Sequence, residues 1–315
     1  MSVVRAGEAA TILNDGRVLI VGGGPGPAEI YDPEGGEFST TGTPTYQYAG
    51  ALAVLVGGGW VLVVGGADGR RAEIYDPATG SFTQTGSSSV PRDGATATLL
   101  ADGRVLVAGG YDARGTYSSA DTYDPATGKF SPTGPMKTAR ECFTATRLDD
   151  GRVLVAGGDR NDEILASAEI YDPATGKFSL TGSMGRPRAC PTATLVADGR
   201  VLVAGGCSDR GTWEASAELY DPATGKFSPT GSMSIGRWAD TATLLRDGRV
   251  LIAGGENGGD DLATAEIYNP ATGQFRPTGS MTVGRSLQTA TLLNDGRVLI
   301  VGGSLDGTSV ELYWP

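Results

Sequence analysis

The sequence predicts an all-β protein, a seven-bladed β-propeller. Three observations carry that expectation. A pair of glycines recurs seven times, at residues 22–23, 65–66, 109–110, 157–158, 205–206, 254–255 and 302–303, with spacings of 43, 44, 48, 48, 49 and 48 residues. A period of that length marks a repeat architecture. The text around each pair also returns: a Thr/Ala/Leu run, a turn, an apolar run, the glycines, then Glu-Ile-Tyr-Asp-Pro or a close variant. No stretch shows helical periodicity, and each repeat divides into four short strand-like runs. The expected organisation is one propeller domain over residues 1–315.

Residues 94–134 show the reading for one repeat. The run 94–100 is rich in β-branched and small apolar residues and reads as the inner strand, a. Asp102 and Gly103 supply the positive-φ turn of a tight hairpin. The same turn recurs at residues 15–16, 150–151, 198–199, 247–248 and 295–296, with Gly57, Gly58 and Gly59 taking its place in the second repeat. The run 104–108 is apolar on both faces, as expected of a strand b buried between neighbouring blades. A loop of variable length follows the glycine pair. Residues 120–123 form strand c. The Asp-Pro-Ala-Thr-Gly stretch at 124–128 is a turn with Pro early and Gly late. Residues 129–132 form strand d, where Pro132 suits an outer edge.

The glycine pair after strand b, the Tyr-Asp after strand c and the Arg before strand a resemble bacterial kelch repeats. The resemblance runs over essentially the whole chain and implies a kelch-type propeller. One departure lies on the outer strand, where kelch repeats carry Trp and this chain carries Phe38, Phe82, Phe130, Phe178, Phe227 and Phe275. The seventh repeat ends at Tyr313, Trp314 and Pro315, just after its strand c. The expectation is a last blade lacking its outer strand. Residues 1–4 align with the linker before strand a, so no strand exchange between the termini is expected.

Composition narrows the partners. The net charge is −11 and the pI about 4.6, which argues against nucleic acid. Arginines recur at two fixed repeat positions: Arg17, Arg104, Arg152, Arg200, Arg249 and Arg297; and Arg5, Arg92, Arg140, Arg188, Arg237 and Arg285. The second set is expected to pair with the acids that open strand c (Glu29, Glu73, Asp121, Glu169, Glu218, Glu266, Glu311) and stitch blades together. Tyr48 interrupts that set. No segment is apolar and long enough for a membrane span. A cytoplasmic location is the simplest expectation, or a secreted one after removal of a signal peptide.

Variation among the copies concentrates on one face, where the d–a and b–c connections meet. The b–c loops are short in blades 1, 2 and 7 and longer in blades 3 to 6. At the start of strand a, expected to line the central channel, stand Glu8, Ala51, Ala95, Phe143, Pro191, Asp240 and Gln288. Blades 6, 7 and 1 thus give a polar crescent and blades 2 to 5 an apolar one, the make-up of a small-molecule pocket. Glu8 and Asp240 are the candidate general acid and base. Tyr48, Phe143, Gln288, Tyr111, Trp213 and Trp238 are the candidate ligand-binding residues, with Tyr117 among the loop aromatics.

Many of the bacterial kelch proteins it resembles carry histidine before the Thr-Ala-Thr run, but this chain has no histidine. The copper-radical oxidases built on kelch-type propellers need histidine and tyrosine ligands, so the resemblance carries no such activity, and no cofactor or metal is expected. Cys142 and Cys190 occupy equivalent positions on adjacent blades and read as small buried hydrophobes. The acidic loops at Asp159 and Asp162, or Asp260 and Asp261, lack a spaced calcium pattern. Two functions remain. One is a small, partly apolar molecule bound in a central pocket, with metal-free isomerisation, cyclisation or elimination. The other is a non-catalytic propeller that recognises protein or glycan through the long loops of blades 3 to 6.

Overall fold

In a computed structural model, which describes residues 1–46, 48, 50–66, 70–209, 211–303 and 308–315, the repeats fold as seven small antiparallel sheets around an axis. Blade 3 is representative, with strands Thr96–Leu99, Val105–Ala108, Ala120–Asp124 and Lys129–Thr133 paired in sequence order. The inner strands are Glu8–Ile12, Ala51–Leu55, Thr96–Leu99, Thr144–Arg147, Thr192–Leu195, Thr241–Leu244 and Thr289–Leu292. Each packs beside the next, and the last packs against the first, so the ring is closed.

The core lies between blades. Every second strand is buried along its length, from Val18–Gly22 to Val298–Val301. Leu106 and Ala108 of blade 3 pack with Val153 and Val155 of blade 4 in one apolar cluster, and each further junction repeats the pattern. This is why strand b reads apolar on both faces. At the periphery, Tyr31 and Phe38 sit with ring centroids 4.9 Å apart, and five further Tyr–Phe pairs repeat the contact. The Phe that replaces the kelch Trp is therefore a packing residue. Threonines at the ends of the outer strands bond the next blade's tyrosine hydroxyl, as in Thr85 with Tyr123 at 2.9 Å.

The seventh sheet has three strands, ending in Val310–Tyr313. Residues 1–7 form no strand. Met1 instead packs on the apolar cluster shared by blades 7 and 1. The Gly303 amide donates to the Arg5 carbonyl at 3.1 Å and the Gly7 amide to the Leu287 carbonyl at 3.1 Å. Ring closure thus proceeds through the linker and inner strands, as the register of the repeats predicts.

The long b–c connections are more ordered than loops. Blades 3 to 6 each raise a short two-stranded hairpin: Tyr111–Asp112 with Gly115–Thr116, Asp159–Arg160 with Glu163–Ile164, Cys207–Asp209 with Thr212–Trp213, and Glu256–Asn257 with Asp260–Asp261. Single bridges tie each hairpin to the linker before the inner strand of the same blade: Asp93 to Tyr111, Glu141 to Asp159, Ala189 to Cys207 and Trp238 to Glu256.

Candidate functional site

The linker arginines come first because they set the geometry of the site. Each is buried and ion-paired with the acid opening strand c: Arg5–Glu29 at 3.3 Å, Arg92–Asp121 at 2.8 Å, Arg140–Glu169 at 3.0 Å, Arg188–Glu218 at 3.3 Å, Arg237–Glu266 at 3.3 Å and Arg285–Glu311 at 3.0 Å. The same guanidinium donates to the carbonyl of the first glycine of the pair, as Arg140 does to Gly157 at 2.6 Å. These partners lie within one blade. The stitching is indirect: the arginine pins the linker that arrives from the preceding blade, and the acid also accepts linker amides, as Glu169 does from Lys137 and Thr138.

Tyr48 fills the arginine's place in blade 2. It is buried, and its hydroxyl donates to Glu73 at 3.1 Å. Burial, and then the Glu73 charge, push the phenol far up, so it stays a neutral donor. The structure gives Tyr48 a task in holding the linker.

Glu8, Phe143, Asp240 and Gln288 wedge between blades, against the first glycine of the preceding blade. A Cβ on Gly302 would collide with the Glu8 carboxylate, one on Gly254 with the Gln288 amide and one on Gly109 with the Phe143 ring, and one on Gly205 would stand 3.2 Å from Asp240 Oδ1. All four glycines have φ between 66° and 70°, so two causes require glycine there: the left-handed backbone and the incoming wedge. Gln288 Nε2 also donates to the Ala253 carbonyl of blade 6 at 2.8 Å. Phe143 belongs to the apolar cluster joining blades 3 and 4. Glu8, Asp240, Gln288 and Phe143 are therefore interface wedges.

Two of these wedges are electrostatically unusual. Both carboxylate oxygens of Glu8 and both of Asp240 are sealed from solvent without a well-directed hydrogen bond. Burial pushes Glu8 up to about 7, against the lowering effect of its own amide, Arg5 and Thr289. Burial likewise pushes Asp240 up to about 7, against Arg237, its own amide and Thr192. Each is a carboxyl held near its titration point by desolvation.

The residue one position earlier is the one that sequence reasoning passed over. Gly7, Gly50, Gly94, Cys142, Cys190, Ala239 and Leu287 all have φ between 48° and 70°. Their amides and carbonyls link around the axis: Gly50 to Gly7, Gly7 to Leu287, Leu287 to Ala239, Cys190 to Cys142 and Cys142 to Gly94, at 2.6–3.1 Å. A left-handed residue here reverses the chain's side-chain direction, which sends the next residue into the blade interface. The available signal was the glycine in three of the seven copies.

The loop aromatics lie apart from the wedges, on the rim. Tyr111 opens the blade 3 hairpin and is 38% exposed. Trp213 closes the blade 5 hairpin, and Trp238 exchanges backbone bonds with Glu256 at 3.2 and 2.9 Å; both are half-buried. Around Tyr111 the rim is acidic. Burial and then Asp159 push Glu141 up to about 7, with Asp93 and Asp162 adding and Thr116 opposing. On the opposite face, clefts between the Asp-Gly turns and the c–d turns reach about 470 Å³ beside Asp15, Arg17 and Asp295. Among the described residues no group of three or more Cys, Asp or Glu is arranged to hold a metal ion.

Sheets, ring and linker ion pairs together define a kelch-type propeller. The kelch motif model matches residues 96–137, 142–185, 188–234 and 237–282, more than half of the sequence, and the chain belongs to that family. No curated protein sequence matches it. Among solved structures it is similar to a fungal alcohol oxidase in complex with copper, at 19% identity and a TM-score of 0.79, covering 96% of this chain and 71% of the other. It is also similar to YjhT, at 16% identity and a TM-score of 0.66, covering 80% and 90%. At these identities the likeness is one of fold.

Proposed function

We propose that this protein is a recognition propeller, which binds a positively charged protein segment across the hairpin crown of blades 3 to 6. The carrying observation is the crown itself. Four adjacent blades raise hairpins and anchor them to the rim, whereas the opposite turns are nearly uniform. A uniform scaffold with variable loops on one face is the usual layout of a binding surface. Charge selects the class of partner. Asp112, Asp159, Asp162, Glu163, Asp209, Glu256, Asp260 and Asp261 lie on the hairpins, with Asp93 and Glu141 beside them, against few basic groups. Such a rim speeds and orients the approach of a cation.

Calorimetric titration with an octalysine peptide tests this. Binding is expected at low salt, weakening roughly tenfold at physiological ionic strength and falling in Asp112→Asn/Asp260→Asn/Asp261→Asn. Signal on a glycan array without peptide binding would move the partner class to glycans. Silence in both would overturn the reading.

Acid–base chemistry at Glu8 and Asp240 on a small, partly apolar molecule is the second reading. It is favoured by their unpaired carboxyls poised near neutrality. It requires a substrate to reach groups wedged between blades. A small molecule found by native mass spectrometry, converted by the wild type and not by Glu8→Gln or Asp240→Asn, would install it. Unchanged conversion in both variants would remove it.

A further inference from the structure

All three cysteines of the chain lie on the adjacent blades 4 and 5. Cys142 and Cys190 hold equivalent ring positions on blades 4 and 5, both at left-handed φ, 49° and 48°. The Cys190 amide donates to the Cys142 carbonyl at 2.6 Å. Bond lengths then limit the Cα–Cα separation to at most about 6.5 Å, within the range of a disulfide. The two thiols perturb each other's acidity. Cys207 opens the blade 5 hairpin and pairs with Ala189, one residue from Cys190. Elsewhere the ring carries Gly, Ala or Leu, so nothing in the repeat demands a thiol there.

We propose that Cys142 and Cys190 form an oxidant-responsive dithiol, which closes to a disulfide stapling blades 4 and 5 at the mouth of the axis. The co-reactant is hydrogen peroxide. The Cys142 sulfur attacks the peroxide oxygen, the O–O bond breaks, and a sulfenic acid and one water form. The Cys190 sulfur then attacks the sulfenic sulfur, the S–O bond breaks, and the disulfide and a second water form. Two thiols are oxidised and one peroxide is reduced. The order follows from the coupling of the two thiols: interaction with Cys190 lowers Cys142, while that interaction and burial hold Cys190 well above the ordinary thiol value. Both residues are partly exposed at the surface.

Trypsin places each cysteine on its own peptide: Cys142 in 141–147, Cys190 in 189–200 and Cys207 in 201–210. The folded protein is treated with hydrogen peroxide, alkylated without reduction, digested and mapped. The expected product is a reducible link between 141–147 and 189–200, lighter by two hydrogen atoms, with titratable thiols falling from three to one. Thermal unfolding should shift upward in the oxidised wild type. Cys142→Ala should show neither the link nor the shift; it should fold, because Ala239 already occupies the same ring position at φ 53°. Retention of all three thiols, or a first link that includes 201–210, would overturn the proposal.

Discussion

Blades 3 and 4 meet through Phe143, and blades 7 and 1 meet through Glu8, at the same repeat position and against the same glycine. One wedge is an apolar ring inside an apolar cluster. The other is a carboxyl with no well-directed partner. The backbone geometry is nonetheless repeated, since the left-handed residue before each wedge and the linker pair before that are present in both. The contrast teaches that backbone and linker contacts set the blade junction, and that the wedge then raises or lowers its stability. Asp240 repeats the Glu8 case between blades 5 and 6.

The sharpest break comes from the apolar side. Phe143→Ala should destabilise the protein by about 3–5 kcal/mol, because a fully packed aromatic leaves a cavity that rigid neighbouring strands do not fill. Denaturant unfolding measures it, and a loss below about 1 kcal/mol would show the ring to be loosely held.

The acid side gives a comparable effect only above neutral pH. Folded Glu8 and Asp240 titrate near 7, above their ordinary values, so the folded chain holds protons that the unfolded chain has released. Stability is therefore full below about pH 4 and is lost as pH rises through about 7, by about 3 kcal/mol for Glu8 and about 4 kcal/mol for Asp240. Glu8→Gln and Asp240→Asn should leave stability near pH 3.5 almost unchanged and raise it at pH 8. Melting curves across that range, with a flattened pH slope in the double variant, check the sign. A wild-type slope that already lies flat would mean that both carboxyls are solvated.

The fold was legible because the repeat is a ruler. Aligning seven copies on the glycine pairs gave the strands, the turns, the buried strand b, the three-stranded last sheet and the arginine–acid pairs. The candidate site was legible only as a face. Glu8, Gln288, Asp240 and Phe143 stand one residue past the ring, and alternation of side-chain direction decides between channel and interface. That alternation is reset by a left-handed residue, which the text advertises only where it is glycine, at Gly7, Gly50 and Gly94; Cys142, Cys190, Ala239 and Leu287 hide the same backbone under ordinary side chains. The hairpins read as loops in the sequence because each strand is two or three residues long, although Asn161-Asp162 and Gly258-Gly259 form two of their turns.

The smallest effect tests whether the same tolerance extends three residues upstream, where Tyr48 replaces arginine. Glu73 there accepts the phenol at 3.1 Å and the Thr45 amide at 3.1 and 3.2 Å. In the arginine blades the acid faces a full positive charge; in blade 2 it faces neutral donors, with the Tyr48 ring packed in the apolar cluster of blades 1 and 2. Tyr48→Phe keeps that packing and removes one hydrogen bond to a charged acceptor, so it should cost about 1–2 kcal/mol with no change in the described ring. Tyr48→Ala would add the cavity term and cost more. If Tyr48→Phe matched Tyr48→Ala, the hydroxyl would be the whole linkage and blade 2 would depend on a polar bond as the other blades do. If Tyr48→Phe were silent, packing alone would hold this linker, and the junction of blades 1 and 2 would belong with Phe143 and not with Glu8.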